Sequence, residues 1–201
     1  MAATAIALYV SFAALGFGWR SWLQYRRTGS SGFRGVSGEL GSVEWLAGVG
    51  FVVSIIAGFA APVLQLVGAV SPIPVLNMPW LQAIGTVVAV AGIAATLYSQ
   101  RDMGESWRIG VDVGETTTLV RHGVFALVRN PIYTAMLAFA AGITLMAPNP
   151  LALVAFAVLL ATIELQVRVV EEPYLARVHG DAYRDYCRAT GRFLPAVGRA
   201  R

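Results

Sequence analysis

Residues 129–164 read RNPIYTAMLAFAAGITLMAPNPLALVAFAVLLATIE, and no residue between Arg129 and Glu164 is charged. A transmembrane helix needs about 20 apolar residues, so this interval is too long for one span and suits two. The break falls at Pro148-Asn149-Pro150, because proline ends one helix and opens the next. The interval therefore predicts a tight helical hairpin over Pro131–Ala147 and Pro150–Arg168.

The same reading extends outward. Between Glu44 and Arg101 there is again no charge, and SPIPVLNMP (residues 71–79) divides that interval into spans at about Val43–Ala69 and Pro79–Ser99. The first nineteen residues, MAATAIALYVSFAALGFGW, are also uncharged. They lack the basic start and short apolar centre of a signal peptide, so they read as a retained helix. With 57% hydrophobic and only 13% charged residues, against nearer a quarter in soluble domains, the expected class is an all-α polytopic membrane protein. It has about five transmembrane helices, with helices 4 and 5 as a hairpin and a helical C-terminal tail. Residues 1–99 read as an N-terminal membrane unit and 100–201 as the unit that carries the chemistry.

All fifteen basic residues are arginine, and beyond Trp19 they fall in Arg20–Arg34, Arg101–Arg129 and Arg168–Arg201. Five helices bring these clusters to one side, which the positive-inside rule makes the cytoplasm of a bacterial plasma membrane, with the N-terminus outside. Arg20, Trp22, Tyr25, Arg26 and Arg27 read as an interfacial anchor. The net charge of +4 thus reflects topology and anionic lipid headgroups; no nucleic-acid reading module is visible. Cys187 has no partner cysteine, and His122 and His179 lack ligand spacing, so no metal is expected.

Two segments hold nearly all the polar chemistry, and the hairpin brings their near ends, Arg129–Pro131 and Arg168–Glu172, to one membrane face. Glu164, Arg168 and Glu172 are spaced four apart, as an ion-pair ladder on one helix stripe requires. Ionisable groups at membrane depth otherwise face a cavity or a functional path. Pro173 disfavours α conformation at Glu172 and can begin a new helix, which would turn that carboxylate toward a pocket. Pro131 similarly biases Asn130 toward an extended conformation that aims its amide inward.

The ordered set GVF (123–125), RNPIY (129–133), RVVEE (168–172), GDAYRDY (180–186) and RFLP (192–195) resembles the isoprenylcysteine carboxyl methyltransferase family and the related phospholipid and amine methyltransferases. The resemblance covers about Gln100 to Pro195, and GESWRIGVD (104–112) is similar to bacterial members. Asn130 stands where the family more usually has histidine, and Phe125 where it has tyrosine. The resemblance implies an S-adenosylmethionine-dependent enzyme acting on a lipophilic small-molecule or lipidated acceptor from the bilayer, without a covalent nucleophile. It implies a cofactor site built from Gly123, Val124, Phe125, Leu127, Asn130, Pro131, Tyr133, Glu171, Glu172 and Tyr183, with Tyr186 as a second aromatic lid. Arg129 or Arg108 would meet the donor carboxylate, Glu172 its ribose or ammonium, and the backbone of 123–127 its adenine. Arg168 or Arg108 would orient a carboxylate acceptor, so Arg129 and Arg168 stand as the catalytic arginines. Trp107 reads either as an interfacial tryptophan or as a wall of the acceptor entrance. The acceptor is open among an isoprenoid carboxylate, a phospholipid, an isoprenoid hydroxyl and a small amine. A noncatalytic transporter or assembly factor is the alternative of another class.

Overall fold

The computed structural model describes residues 1–32, 35, 36, 38–107 and 118–200, apart from the side chain of Glu105. Arg108 and the IGVD stretch that follows it lie outside the described residues. Four helices are long and apolar enough to cross a membrane: α1 (Ala2–Thr28), α2 (Val43–Leu66), α3 (Pro79–Met103) and α5 (Pro150–His179). Between the last two lies a shorter apolar helix, α4 (Pro131–Met146), of 16 residues. A final helix, α6 (Asp181–Ala189), carries the tail. The protein is therefore an all-helical polytopic membrane protein, with α4 and α5 forming the expected hairpin.

Local chemistry explains the boundaries. Pro79, Pro131 and Pro150 each sit in the first turn of a helix, where a missing N–H removes no helical bond. Ser42 caps α2 by accepting from Trp45 N at 3.1 Å, and Asn149 caps α5 by accepting from Ala152 N at 2.9 Å. Asn149 is fully buried, and its amide also donates to Ala61 O and Gln65 Oε1, so the hairpin turn is packed under the end of α2.

Two helices run past their expected ends. α1 continues beyond Trp19 through a π-helical segment, Ala13–Trp19, to Thr28. α5 continues beyond Arg168 through a second π-helical segment, Gln166–Glu171. The extension carries α5 across Pro173, where a new helix is expected from the sequence. The wider π turn before Pro173 spares its ring the clash with the preceding turn that an α-helix would impose.

Packing follows small residues. α3 lies along α4 so closely that a Cβ at Gly142 would stand 2.5 Å from Ala89 N, and one at Gly92 would stand 2.6 Å from Phe139 N. Close approach through glycine and alanine is how membrane helices gain contact where lipid offers no hydrophobic drive. α2 packs on α5, where a Cβ at Gly50 would meet Thr162. Inside, Phe12 stacks on Phe139 with centroids 4.1 Å apart, and Tyr9 meets the same ring edge-on. Outside, Val53, Val87, Val90 and Val154 are exposed, as lipid-facing side chains should be.

The polar ends gather at one end of the bundle. Beyond α6 the tail folds back over the start of α4: Arg129 N donates to Gly191 O at 2.8 Å and Asn130 N to Arg192 O at 3.1 Å. At the same end, Gln100 Nε2 of α3 donates to Gly16 O of α1 at 2.8 Å.

Candidate functional site

The tail is fastened by one buried arginine. Arg129 donates through Nη1 to Cys187 O at 3.2 Å and to Thr190 O, and through Nη2 to Gly198 O at 3.1 Å and Glu172 Oε1 at 2.8 Å. A cation at the carbonyl end of α6 also suits that helix's dipole. Arg192 grips the same carboxylate in bidentate fashion, Nε to Oε1 and Nη2 to Oε2, both at 2.8 Å. The Glu172 partnership holds the Arg192 guanidinium above its ordinary range.

This geometry differs from the pocket-facing Glu172 expected from the sequence. Its carboxylate is the shared partner of two arginines and does not line the polar pocket. Arg168 also lies elsewhere: its side chain is 58% exposed and pairs with Glu164, four residues back. The ion-pair ladder thus stops at Glu164–Arg168, because the intervening π segment changes which residues share a face.

The polar pocket, about 140 Å³, is bounded by the start of α4, the π segment of α5 and α6. Phe125, Arg129, Asn130, Pro131, Tyr133, Glu171 and Tyr183 of the expected set line it. Asn130 stands at the N-cap position of α4, but its side chain makes no capping bond. It has non-helical angles (φ −124, ψ 58), and its side-chain nitrogen donates to Arg192 O at 3.3 Å. Tyr133 donates to Glu171 Oε1 at 2.6 Å. Arg129 Nε is buried with no hydrogen-bond partner among the described residues.

Gly123, Val124 and Leu127 of the expected set are not among the lining residues. A 3-10 turn, Gly123–Ala126, is pinned by Val124 N donating to Asp102 Oδ2 at 3.0 Å. Gly123 has φ +57, and a Cβ there would fall 2.1 Å from the Asp102 carboxylate, so only glycine fits. Leu127 is exposed. Tyr186 donates to Phe125 O, joining α6 to this turn.

The site also has members that sequence reasoning passed over. Met103, Leu119, Tyr174 and Leu175 line the pocket. Tyr174 and Leu175 are readable in retrospect from lying on the α5 face that follows Glu171.

Burial sets the protonation of the tail groups. It pushes the Tyr183 hydroxyl far up, the Tyr186 hydroxyl up to about 12, and the Cys187 thiol up, although Arg129 pulls against it in all three. All three are therefore neutral near pH 7, and none serves as a ready base.

A second cavity, about 550 Å³ and almost wholly apolar, lies between α1, α2, α4 and α5. Tyr9, Phe12, Phe51, Met136, Phe139 and Ile163 are among its walls, and Trp107, itself buried, stands toward the polar end. Ile132 and Tyr133 line both cavities. Among the described residues, no group of three or more His, Cys, Asp or Glu side chains is placed to hold a metal.

Comparison with known proteins agrees in direction. The family model described as phospholipid methyltransferase matches residues 80–182. Protein-S-isoprenylcysteine O-methyltransferase A of Arabidopsis thaliana is 29% identical over 120 residues, 59% of this chain and 61% of that protein. A probable protein-S-isoprenylcysteine O-methyltransferase of Oryza sativa subsp. indica is 28% identical over 127 residues, 62% and 66% of the two chains. The match thus spans less than two thirds of either relative's length. A solved structure of a eukaryotic intramembrane Ras methyltransferase, isoprenylcysteine carboxyl methyltransferase, superposes with a TM-score of 0.55 at 24% identity, over 76% of this chain and 53% of that one. It shares the fold.

Proposed function

The chain belongs to the phospholipid methyltransferase family, and from that membership we propose that it is a membrane enzyme that moves a methyl group from S-adenosylmethionine to a lipophilic carboxylate. The observation that carries the reading is the shared wall: Ile132 and Tyr133 face a polar pocket on one side and a large apolar cavity on the other. Water-soluble donor and bilayer-borne acceptor can meet across it. Residues 100–201 carry the chemistry on this reading, and residues 1–99 supply much of the acceptor cavity.

The pocket's donor set suits the cofactor. The Glu171 carboxylate answers a positive charge, and the unpartnered Arg129 Nε–H is available to a carboxylate. Phe125, Tyr183 and Tyr186 offer apolar faces to a purine. The polar pocket is the smaller cavity, so the nucleoside extends beyond the residues lining it. When bound, S-adenosylmethionine supplies a methyl group activated by its sulfonium. The residues of this chain align the two reactants and exclude water, which is where such displacements gain most of their rate. An acceptor carboxylate attacks without losing a proton, which fits a site whose phenols and thiol stay protonated. An amine acceptor would call for an anionic group beside the cavity, and no Asp or Glu lines it among the described residues.

Calorimetry with S-adenosylmethionine, followed by transfer of labelled methyl to N-acetyl-S-farnesylcysteine, tests the reading; absence of stoichiometric cofactor binding would end it. Within it, Glu171→Gln should weaken cofactor affinity about tenfold or more. Charge-assisted hydrogen bonds contribute about 1.5–3 kcal/mol, and the neutral amide gives up that share. Unchanged affinity would leave Glu171 with a structural role.

We also propose that the polar end faces the cytoplasm of a bacterial plasma membrane. A cysteine at exposed Asn77, between α2 and α3, should react with an impermeant maleimide on intact cells, and one at exposed Arg199 should react only after permeabilisation. Native Cys187 adds little background, being 8% exposed with its thiol held protonated. Labelling of the Arg199 position on intact cells would reverse the orientation.

A further inference from the structure

Arg20 reads in the sequence as one more interfacial arginine, yet it is 6% exposed. It follows directly on the π-helical segment of α1, which shifts the helix register just before it. Its Nη2 donates to Gly104 O, and its guanidinium lies over the Trp107 ring, 4.7 Å from the centroid. Its Nε and Nη1 are buried and have no hydrogen-bond partner among the described residues. Stacking on tryptophan stabilises the cation but satisfies no N–H. A buried guanidinium with idle donors is costly, and such groups are nearly always paired. Arg129, at the same end, makes four hydrogen bonds to the protein and leaves only Nε idle, whereas Arg20 leaves two nitrogens idle.

The surroundings of Arg20 say what the missing partner is. Trp107, on which it stacks, is a wall of the apolar cavity, as are Phe17 and Ser21 near it on α1 and Gln100 of α3, which donates to Gly16 O one turn before it. The Gln100 Oε1 is likewise buried without a partner. Gln100 thus sets an unpaired oxygen in the wall of a cavity otherwise built for hydrocarbon, and the idle donors of Arg20 lie next to that wall, against the Trp107 ring. We propose that Arg20 is the acceptor-orienting residue, holding the carboxylate at the end of a lipid chain seated in the apolar cavity. This assignment rests on the methyltransferase reading above and names its substrate-binding arginine; Arg168, exposed and paired with Glu164, is not placed for the task. A planar guanidinium binds a carboxylate through two parallel N–H groups, here idle Nη1 and the second hydrogen of Nη2, fixing which oxygen is turned toward the shared wall at Tyr133.

The test uses the full chain in nanodiscs of zwitterionic lipid, with N-acetyl-S-farnesylcysteine and its methyl ester as probes and S-adenosylmethionine affinity measured in parallel. The wild type should bind the acid at least tenfold more tightly than the ester. Arg20→Gln should erase that preference while leaving ester and cofactor affinities within about twofold. Arg20→Lys keeps the charge without the fork and should show a reduced preference, which provides a second reading if the glutamine variant folds poorly. An acid preference undiminished in either variant overturns the assignment to Arg20, as does a wild type that binds acid and ester alike. Competition by phosphatidylglycerol in the nanodisc as strong as that by the acid would give the site to bulk anionic lipid and also overturn it. Loss of cofactor binding in the wild type would instead sink the methyltransferase reading itself.

Discussion

Arg129→Ala is expected to release the tail and to cost about 3–5 kcal/mol of stability, the range seen when one member of a buried ion pair is removed. Three tail carbonyls, of Cys187, Thr190 and Gly198, lose their donor at once, and Glu172 keeps only Arg192. Because the tail also supplies Tyr183 and Tyr186 to the polar pocket, cofactor binding should fall with it. Thermal unfolding in detergent measures the first effect. Limited trypsin digestion measures the second stage: exposed Arg188 and Arg199 should be cut readily in the variant and slowly in the parent. A variant whose tail stays protected, with an unchanged midpoint, would show that Arg129 is not the fastening. Glu172→Gln should reproduce a milder form of the same loss, since the amide can still accept from one arginine.

The second large effect is expected far from any charge. Gly142→Ala places a methyl group 2.5 Å from Ala89 N and 2.6 Å from Gly85 O. Both are helix backbone, which cannot step aside as a side-chain tip can, so α3 and α4 must separate. Overpacking costs about 1–3 kcal/mol when side chains can yield, and this site should fall at the upper end. Gly18→Ala is the control, because the added carbon there would meet nothing nearer than Ala13 O at 3.8 Å. Equal unfolding temperatures for the two variants would refute tight α3–α4 packing.

The sequence made the helices legible because charge is so costly in hydrocarbon that its absence marks each span, and the prolines marked the turns. It located the start of α4 and part of the pocket lining, since Phe125, Asn130, Pro131, Tyr133, Glu171 and Tyr183 lie within four short motifs. What stayed hidden was rotation about the helix axis. Glu171 and Glu172 are neighbours of one type, and which of them meets the pocket depends on a π segment that no residue pattern announces. Arg20 shares that fate: beside Trp19, Trp22, Arg26 and Arg27 it has the composition of an anchor, and only the register of α1 turns it inward. The long ends of α1 and α5 were obscured because they are amphipathic and charged, so the absence of charge could not mark them.

The brevity of α4 has a consequence for the surrounding lipid. Sixteen residues rise about 24 Å, against a hydrocarbon core of about 30 Å, while neighbouring α3 has 25 residues. A short hydrophobic length is met by thinning of the bilayer or by polar groups lying below its surface, at a fraction of a kcal/mol per ångström of mismatch. Lipid that thins to match α4 brings the leaflet surface toward Pro131 and shortens the path of an amphiphile's headgroup to the shared wall. Acyl-chain length in the host membrane thus becomes a physical variable of the site.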